Sequence, residues 1–196
     1  MGKILTLYPL SAAAITACDQ TERLESWIDA YLRWSEIDLS EESLTAFLDN
    51  AALSPDAREK TIARYGLPAS AVASSSDEIV LAEYVSAFTT GKVEMDTATL
   101  QAFMANSAVT DHHLTWLLES YEIHDYLSDD EVEAVAESTD ARAPALTQLA
   151  SSKSNTVRRQ VAANPRTPDQ VRKELKKDPV KEVQRAPGKK SNVMWL

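Results

Sequence analysis

Three histidines are the residues whose type and spacing come nearest to a metal site. They are His112, His113 and His124, with Asp111, Glu119 and Asp125 nearby. A zinc site normally needs three or four convergent ligands, and His113 and His124 would share a face only if one helix ran through both. The segment between Tyr121 and Ser128 interrupts the helical pattern. We therefore interpret the histidines as polar positions on a helix and the turn after it, and we predict no metal and no cofactor.

Other catalytic motifs are missing from the sequence. Asp129-Asp130-Glu131 is the clearest carboxylate group, and negative charge of this kind favours a helix N-terminus. The four glycines form no phosphate-binding loop, and the single cysteine, Cys18, excludes an internal disulfide and a Cys-only metal site. Residues 4–18 superficially resemble a signal sequence that ends in a lipobox, but polar residues and a proline break the apolar run. We predict that the protein is not an enzyme and that its compartment is reducing.

Charge is strongly segregated along the chain. Residues 1–140 contain 7 basic and 26 acidic residues, a net charge of −19, whereas residues 141–196 contain 13 basic and 4 acidic residues, a net charge of +9. Such polarity is typical of proteins that contact something charged, or whose copies contact one another. We accordingly divide the chain into an acidic region, 1–140, a basic region, 141–186, and a tail, 187–196.

Internal repeats indicate which elements carry these residues. Residues 39–65 align without a gap on residues 95–121, an offset of 56, and the alignment pairs Phe47 with Phe103 and Asn50 with Asn106. The segment 10–17 matches 39–46 at an offset of 29, which places Cys18 at the core position of Phe47. A fixed period is the signature of stacked supersecondary units.

The repeated unit reads as two short helices. Each unit begins with an apolar residue and then a Ser, Thr, Asp or Pro that caps or opens a helix, and Ser128/Glu131 and Thr167/Gln170 have the spacing of capping boxes. The scarcity of glycine favours helix over sheet. We predict an all-α fold, a short right-handed α-solenoid of two-helix units of about 26–29 residues. Its second helices are expected at 19–34, 55–65, 77–88, 111–121, 156–163 and 180–185.

Residues 149–186 resemble a known family of helical repeats. The segment VRRQVAANPRTPDQVRKELKKDP, residues 157–179, is similar to the leucine-rich repeat variant, a relative of HEAT-like repeats, and Val157/Val183 recur at an offset of 26. The resemblance implies short alternating helices in a curved stack, and recognition rather than catalysis. Members of the family can carry an N-terminal cysteine cluster for an iron–sulfur centre. This chain has only Cys18, so no cluster is implied.

A basic surface is predicted in the same segment. It consists of Arg158, Arg159, Arg166, Arg172, Lys173, Lys176 and Lys177. The pairs Arg172/Lys176 and Lys173/Lys177 place like charges at i,i+4, which disfavours an isolated helix unless something compensates. Three interpretations stay open: a solvated face, a surface for an acidic protein or a second copy, and a surface for nucleic-acid phosphate through residues 158–177. The acidic remainder of the chain and the lack of interleaved aromatic residues count against nucleic acid.

The C-terminal tail ends in an apolar group, Val193, Met194, Trp195 and Leu196. A free tail is rarely so apolar, and we expect this group to dock on the chain, on a second copy or in a groove of a partner. Nine other aromatic residues lie at helical spacing and are expected in the core. These are Trp27, Trp34, Trp116, Phe47, Phe103, Tyr31, Tyr65, Tyr84 and Tyr121.

The sequence thus favours a cytoplasmic adaptor or structural assembly protein, not associated with a membrane, that binds protein partners through charged solenoid faces and its tail. A subunit of a larger intracellular or virion complex, such as one of a phage, fits the same features. The alternatives are a nucleic-acid-associated protein that uses the basic repeats, and an acidic mimic that inhibits a nucleic-acid enzyme through residues 19–140. The sequence does not identify the partner, the organism or the oligomeric state.

Overall fold

The structure is a computed structural model that describes residues 10–33 and 39–186. Within these ranges it has fourteen α-helices and no strand, which confirms the predicted all-α helical-repeat fold. The helices are α1 (Ala12–Thr16), α2 (Thr21–Arg33), α3 (Glu41–Leu48), α4 (Pro55–Tyr65), α5 (Ala69–Ser74), α6 (Glu78–Thr89), α7 (Thr97–Ala105), α8 (Asp111–Ser120), α9 (Ile123–Tyr126), α10 (Asp129–Glu137), α11 (Ala143–Leu149), α12 (Asn155–Ala163), α13 (Asp169–Leu175) and α14 (Lys181–Gln184).

The chain forms two compact units, Met1–Val109 and Thr110–Leu196. In the first unit α1, α3, α5 and α7 pack in succession as one layer, while α2, α4 and α6 pack in succession as the other. In the second unit α10, α12 and α14 form one layer, α8 packs against α11, and α13 packs against α12. The change of charge near residue 140 lies inside the second unit and is not a boundary between units.

Helix starts recur at fixed intervals in both units. The N-caps of α1, α3, α5 and α7 are Ser11, Ser40, Pro68 and Asp96, which are 28 or 29 residues apart. Those of α10, α12 and α14 are Ser128, Ser154 and Val180, which are 26 residues apart. The serine and aspartate side chains accept a bond from the first-turn backbone N–H groups that have no partner within the helix. The structure therefore has the two periods read from the sequence.

One of the two predicted capping boxes is present. Ser128 and Glu131 exchange both bonds at the start of α10. The prediction for Thr167 was wrong, because Pro168 is the N-cap of α13 and the buried hydroxyl of Thr167 donates to the carbonyl of Val161 instead. A threonine so close to the end of the preceding helix satisfies a carbonyl there before it can cap the next helix.

The core is aliphatic and aromatic, and four of the nine aromatic residues expected there are buried in it, namely Tyr31, Phe47, Tyr84 and Phe103. Cys18 is buried in a cluster with Phe47, Tyr31 and Leu24, as its position in the repeat predicted. Phe88 and Phe103 meet edge to face, with ring centroids 5.8 Å apart. Phe47, Tyr84 and Phe103 are fully buried. Trp27, Tyr65 and Tyr121 are half-buried. Trp34 lies outside the described residues.

The prediction of a core position for Trp116 was wrong, because this residue is 38% exposed. It lies on α8, where Leu114, Leu117 and Leu118 are buried. These leucines already fill the narrow apolar stripe of a ten-residue helix, and they leave the indole at its edge. In the described ranges, none of the helices has the length and apolar character needed to span a bilayer.

Buried or half-buried side-chain amides join neighbouring helices at their C-terminal ends. The Nδ2 of Asn164, at the end of α12, donates to the carbonyls of Ala136 and Ser138 at the end of α10, both at 2.8 Å. Its Oδ1 accepts the backbone N–H of Arg166 at 2.9 Å. One amide therefore satisfies two carbonyls that have no partner within their own helix and fixes the turn that follows. We call this arrangement an amide clasp.

The amide clasp recurs in the first unit. Asn50 donates to Ile15 and Cys18 and joins α3 to α1. Asn106 donates to Val72 and Ser75 and joins α7 to α5. Each also accepts an N–H two residues further on, as Asn164 does. The two asparagines paired by the sequence alignment thus make equivalent hydrogen bonds, and each joins neighbouring repeats.

A glutamine makes the same arrangement from within a helix. The Nε2 of Gln148, on α11, donates to the carbonyls of Leu118 and Tyr121 at the end of α8, and its Oε1 accepts the N–H of Ile123. The longer side chain reaches these groups from the last turn of α11, whereas the asparagines lie at or just beyond the ends of their helices. The clasp is therefore defined by the carbonyls that need a donor, and either amide side chain supplies one.

Replacing Asn164 with alanine should lower the free energy of unfolding by about 3 kcal/mol, because the buried carbonyl of Ala136 and the N–H of Arg166 lose their partner and the carbonyl of Ser138 loses one of its two donors. Asn155→Ala, at an exposed position of the same helix, is the matched control and should change it by less than about 0.5 kcal/mol. Urea unfolding followed by circular dichroism measures both variants. Equal effects of the two substitutions would show that the clasp contributes nothing specific.

Candidate functional site

The seven basic residues predicted to form one surface lie on different parts of the second unit. Arg158 and Arg159 are on α12, Arg166 is in the turn between α12 and α13, and the remaining four are on α13 and the turn after it. Because α12 and α13 pack against one another, their solvent-exposed faces point in different directions. Each residue therefore has to be considered by its own contacts.

Arg158 is engaged inside the unit. Its Nε and Nη2 donate to the two carboxylate oxygens of Asp178, at 2.7 and 3.2 Å, and its Nη1 donates to the carbonyls of Ser152 and Lys153. The hydrogen bond with Asp178 raises the pKa of the guanidinium and lowers the pKa of the carboxyl. Asp178 also accepts the N–H of Val180, the N-cap of α14. The pair therefore attaches the last helix to α12.

Arg172 is also committed to the backbone. Its Nε donates to the carbonyl of Thr167 at 3.0 Å, and its Nη2 donates to those of Asn164 and Pro165 at 2.9 and 2.7 Å. All three carbonyls lie at or just after the C-terminal end of α12. In the first unit, buried Arg58 donates in the same way to the carbonyls of Leu48, Asn50 and Leu53. These arginines stabilise helix ends.

The five other basic residues are exposed. Arg159 projects from α12, on the side opposite buried Val157 and Val161. Arg166 lies 3.7 Å from Asp140, in a contact between side chains that are mostly solvent-accessible. The other three, Lys173, Lys176 and Lys177, form what we call the lysine cluster.

The lysine cluster occupies the end of α13. Lys173, Lys176 and Lys177 are neighbours at i,i+3 and i,i+4, while Val171 and Leu175 anchor the opposite side of the helix in the core. Among the described residues, none of the three forms an ion pair. The nearest carboxylate in sequence, that of Glu174, accepts a hydrogen bond from Gln170. The cluster thus presents three exposed positive charges that form no ion pair within the described part of the chain, with exposed Asp169 and Glu174 on the same helix.

The predicted tail group, Val193 to Leu196, lies outside the described residues, and its docking stays a prediction.

The histidines do not assemble a metal site within residues 10–33 and 39–186, where no group of three or more potential ligands converges. His113 is buried, and its Nδ1 has no hydrogen-bond partner. His112 and His124 are exposed on α8 and α9. The rings of His112 and His113 are 6.3 Å apart, centroid to centroid. The interpretation of the histidines as helix and turn positions fits this placement, with the difference that one of them is buried.

Two surface grooves were not anticipated from the sequence. One, of about 470 Å³, lies between α8 and α11 and is lined by Leu118, Pro144 and neighbouring polar residues. The other, of about 580 Å³, lies along α1 and α3, and Cys18 and Asp49 are among its lining residues. Grooves between neighbouring helices follow from packing, and helical periodicity alone does not locate them.

Comparisons of the chain with protein-family models, with curated proteins and with solved structures gave no match.

The Arg158–Asp178 pair should make stability depend on pH at the acid end. The pKa of Asp178 is lower in the folded protein than in the unfolded chain, where a value of about 3.9 is usual. The pair therefore stabilises the fold above that pH, and the contribution is lost as pH falls through the folded-state pKa. Asp178→Asn should be less stable than the parent protein at pH 7, and the difference should shrink below about pH 4.

Urea unfolding at a series of pH values measures this difference, with Asp169→Asn, an exposed carboxylate on α13, as the matched control. A difference between Asp178→Asn and the parent protein that stays constant down to the lowest pH would show that the carboxylate charge has no part in it.

Arg172 and Lys173 are adjacent basic residues, but replacing them should have very different effects on stability. Arg172→Gln should reduce the free energy of unfolding by about 2 kcal/mol, because three carbonyls lose a charged donor. Lys173→Gln, in contrast, should change it by less than about 0.5 kcal/mol. Thermal or urea unfolding distinguishes them, and an equal loss in both variants would contradict the structural role of Arg172.

Proposed function

We propose that this protein is a non-enzymatic helical-repeat adaptor that binds an acidic surface of a protein partner through the lysine cluster. The observation that carries the proposal is a set of three exposed lysines at the end of α13 and in the turn after it, which form no ion pair within the described part of the chain. Val171 and Leu175 anchor the other side of this helix in the core. A helical-repeat scaffold suits recognition, since stacked repeats present extended surfaces.

The electrostatics of the lysine cluster favour a partner over simple solvation. Lys173 and Lys177 repel one another at i,i+4, at a cost of about 0.3 kcal/mol. The C-terminal position on α13 offsets part of this cost through the helix dipole. A carboxylate surface that meets all three ammonium groups removes the repulsion and steers association from a distance. Water and salt screen the three charges but supply no fixed opposite charge.

An acidic protein fits this chain better than nucleic acid does. The net charge of −19 on residues 1–140 repels phosphate along the rest of the molecule. No aromatic residue occurs on α13 on which an unpaired base could stack. Nucleic acid remains a defined alternative, and its binding would weaken steeply with salt.

The apolar tail group supplies a second contact in this proposal. Val193, Met194, Trp195 and Leu196 have the composition of an anchor that fills a groove, and a large aromatic side chain is a common hot spot at interfaces. Charge would then orient the partner while the tail contributes apolar burial. A cytoplasmic adaptor, or a subunit of an intracellular or virion assembly, is the setting we propose.

The proposal is tested by capture from native lysate with the parent protein and with Lys173→Glu/Lys176→Glu/Lys177→Glu. A defined protein should be recovered by the parent protein after nuclease treatment, and its recovery should fall about tenfold or more with the triple variant. Truncation after residue 190 should also reduce recovery, because the tail group is removed. The captured protein should carry an acidic surface patch.

A control of equal charge change keeps the test specific. Lys60→Glu/Lys92→Glu/Lys153→Glu alters net charge by the same amount at exposed positions and should retain the partner. Recovery that depends on nuclease-sensitive material would identify nucleic acid as the partner. Equal loss with both triple variants would show that net charge alone matters and would refute a role for the lysine cluster.

A further inference from the structure

The outer face of α10, α12 and α14 changes sign from one end to the other. On α10, Asp130 and Glu137 are exposed on the side opposite buried Val132 and Ala136. On α12 the exposed charge is Arg159. Lys181, the first residue of α14, and Arg185, its C-cap, project opposite buried Val183, while exposed Glu182 lies at the flank of the helix. Because the three helices form one layer, this face runs from acid through a single arginine to base.

Local helix preferences do not account for this arrangement. Asp130 suits the first turn of α10, but Glu137 ends the same helix, where the dipole disfavours negative charge. Lys181 and Arg185 flank the single turn of α14, which is too short for a helix dipole to favour either sign of charge. Glu137 accepts a hydrogen bond from Gln160 of α12, which holds the carboxylate in place without neutralising it. The change from negative to positive charge is therefore a property of the three-helix face and is not explained by the preferences of the single helices.

The two ends of this face are too far apart to neutralise one another. Helix α12 separates α10 from α14, and two interhelical spacings of 8–10 Å give about 16–20 Å. That distance exceeds the screening length of about 8 Å at physiological ionic strength. Among the described residues, Asp130, Lys181 and Arg185 form no ion pair. Within one molecule both ends keep their charge.

We propose that this face binds the same face of a second copy of the chain, related by a two-fold axis parallel to the helices. Such an axis places α10 of one copy on α14 of the other with their N-termini at the same end, so that Asp130 faces Lys181. The long side chain of Arg185 reaches toward Glu137, which lies about 6 Å further along the helix direction, and each pair occurs twice. A two-fold axis perpendicular to the helices would place acid on acid and base on base. The charge pattern thus selects the partner and the symmetry operator.

This contact is distinct from the proposed function, because it uses another surface and another partner. The lysine cluster lies on α13 and takes no part in it. The test needs only the purified chain, so failure of the lysate capture leaves it unaffected, and failure of self-association leaves the adaptor proposal unaffected.

The experiment is sedimentation equilibrium of the full chain over a range of concentrations, at about 50 mM and about 500 mM salt. At low salt the weight-average mass should rise from the 21.6 kDa of the monomer towards twice that value, and high salt should reverse the rise. Glu137→Lys and Arg185→Glu should each weaken association about tenfold or more, since each reversal acts twice in the dimer. The double variant Glu137→Lys/Arg185→Glu should recover it.

Arg159 provides an independent check of the symmetry. The axis passes near α12, so the two copies place their Arg159 side chains close together, and Arg159→Ala should strengthen association or leave it unchanged. All of these positions are exposed, and circular dichroism of each variant verifies the fold. A protein that stays monomeric at low salt, a double variant that is not rescued, or weaker association in Arg159→Ala would overturn the proposal.

Discussion

The backbone carbonyls at helix ends are the constraint on which the rest of this structure depends. A helix leaves its last four carbonyls without a partner, and a chain of short helices creates many such ends. Here they face the next helix of the layer and are buried there. Asn50, Asn106, Asn164 and Gln148 donate to them in the same manner, each amide to two carbonyls. The cohesion between repeats is therefore polar as well as apolar.

The same constraint determines which cations are free to bind a partner. Arg58, Arg158 and Arg172 have guanidinium groups directed at carbonyls that follow a helix, and two of the three also pair with a carboxylate. A planar donor with five N–H groups suits several carbonyls at once, which a lysine does not. In the second unit, the exposed side chains that donate to no such carbonyl include the lysine cluster and the outer face of α10, α12 and α14, which we propose as recognition surfaces.

The repeat pattern of residues 157–179 acquires a physical meaning in this light. Val157, Val161, Val171 and Leu175 are buried, as any apolar periodicity would predict. The polar members of the pattern have equally internal roles: Asn164 forms an amide clasp, Thr167 donates to Val161, and Arg158 pairs with Asp178. The resemblance to the leucine-rich repeat variant thus concerns residues that maintain the stack. Arg159 and Lys173 lie at positions that this pattern does not specify, and both are exposed.

The amino-acid sequence by itself determined the helical class, the periods of 26 and 28 residues, the starts of most helices and the burial of Cys18, because these depend on local spacing and capping. It also determined the amount and segregation of charge. Only the tertiary structure decided that Arg158 and Arg172 point inward while Arg159 and Lys173 point outward, that Thr167 fails to cap, and that Trp116 is exposed. Each of these outcomes depends on which carbonyls and side chains a neighbouring helix brings within bonding distance. The type of a residue does not determine which helix will lie beside it.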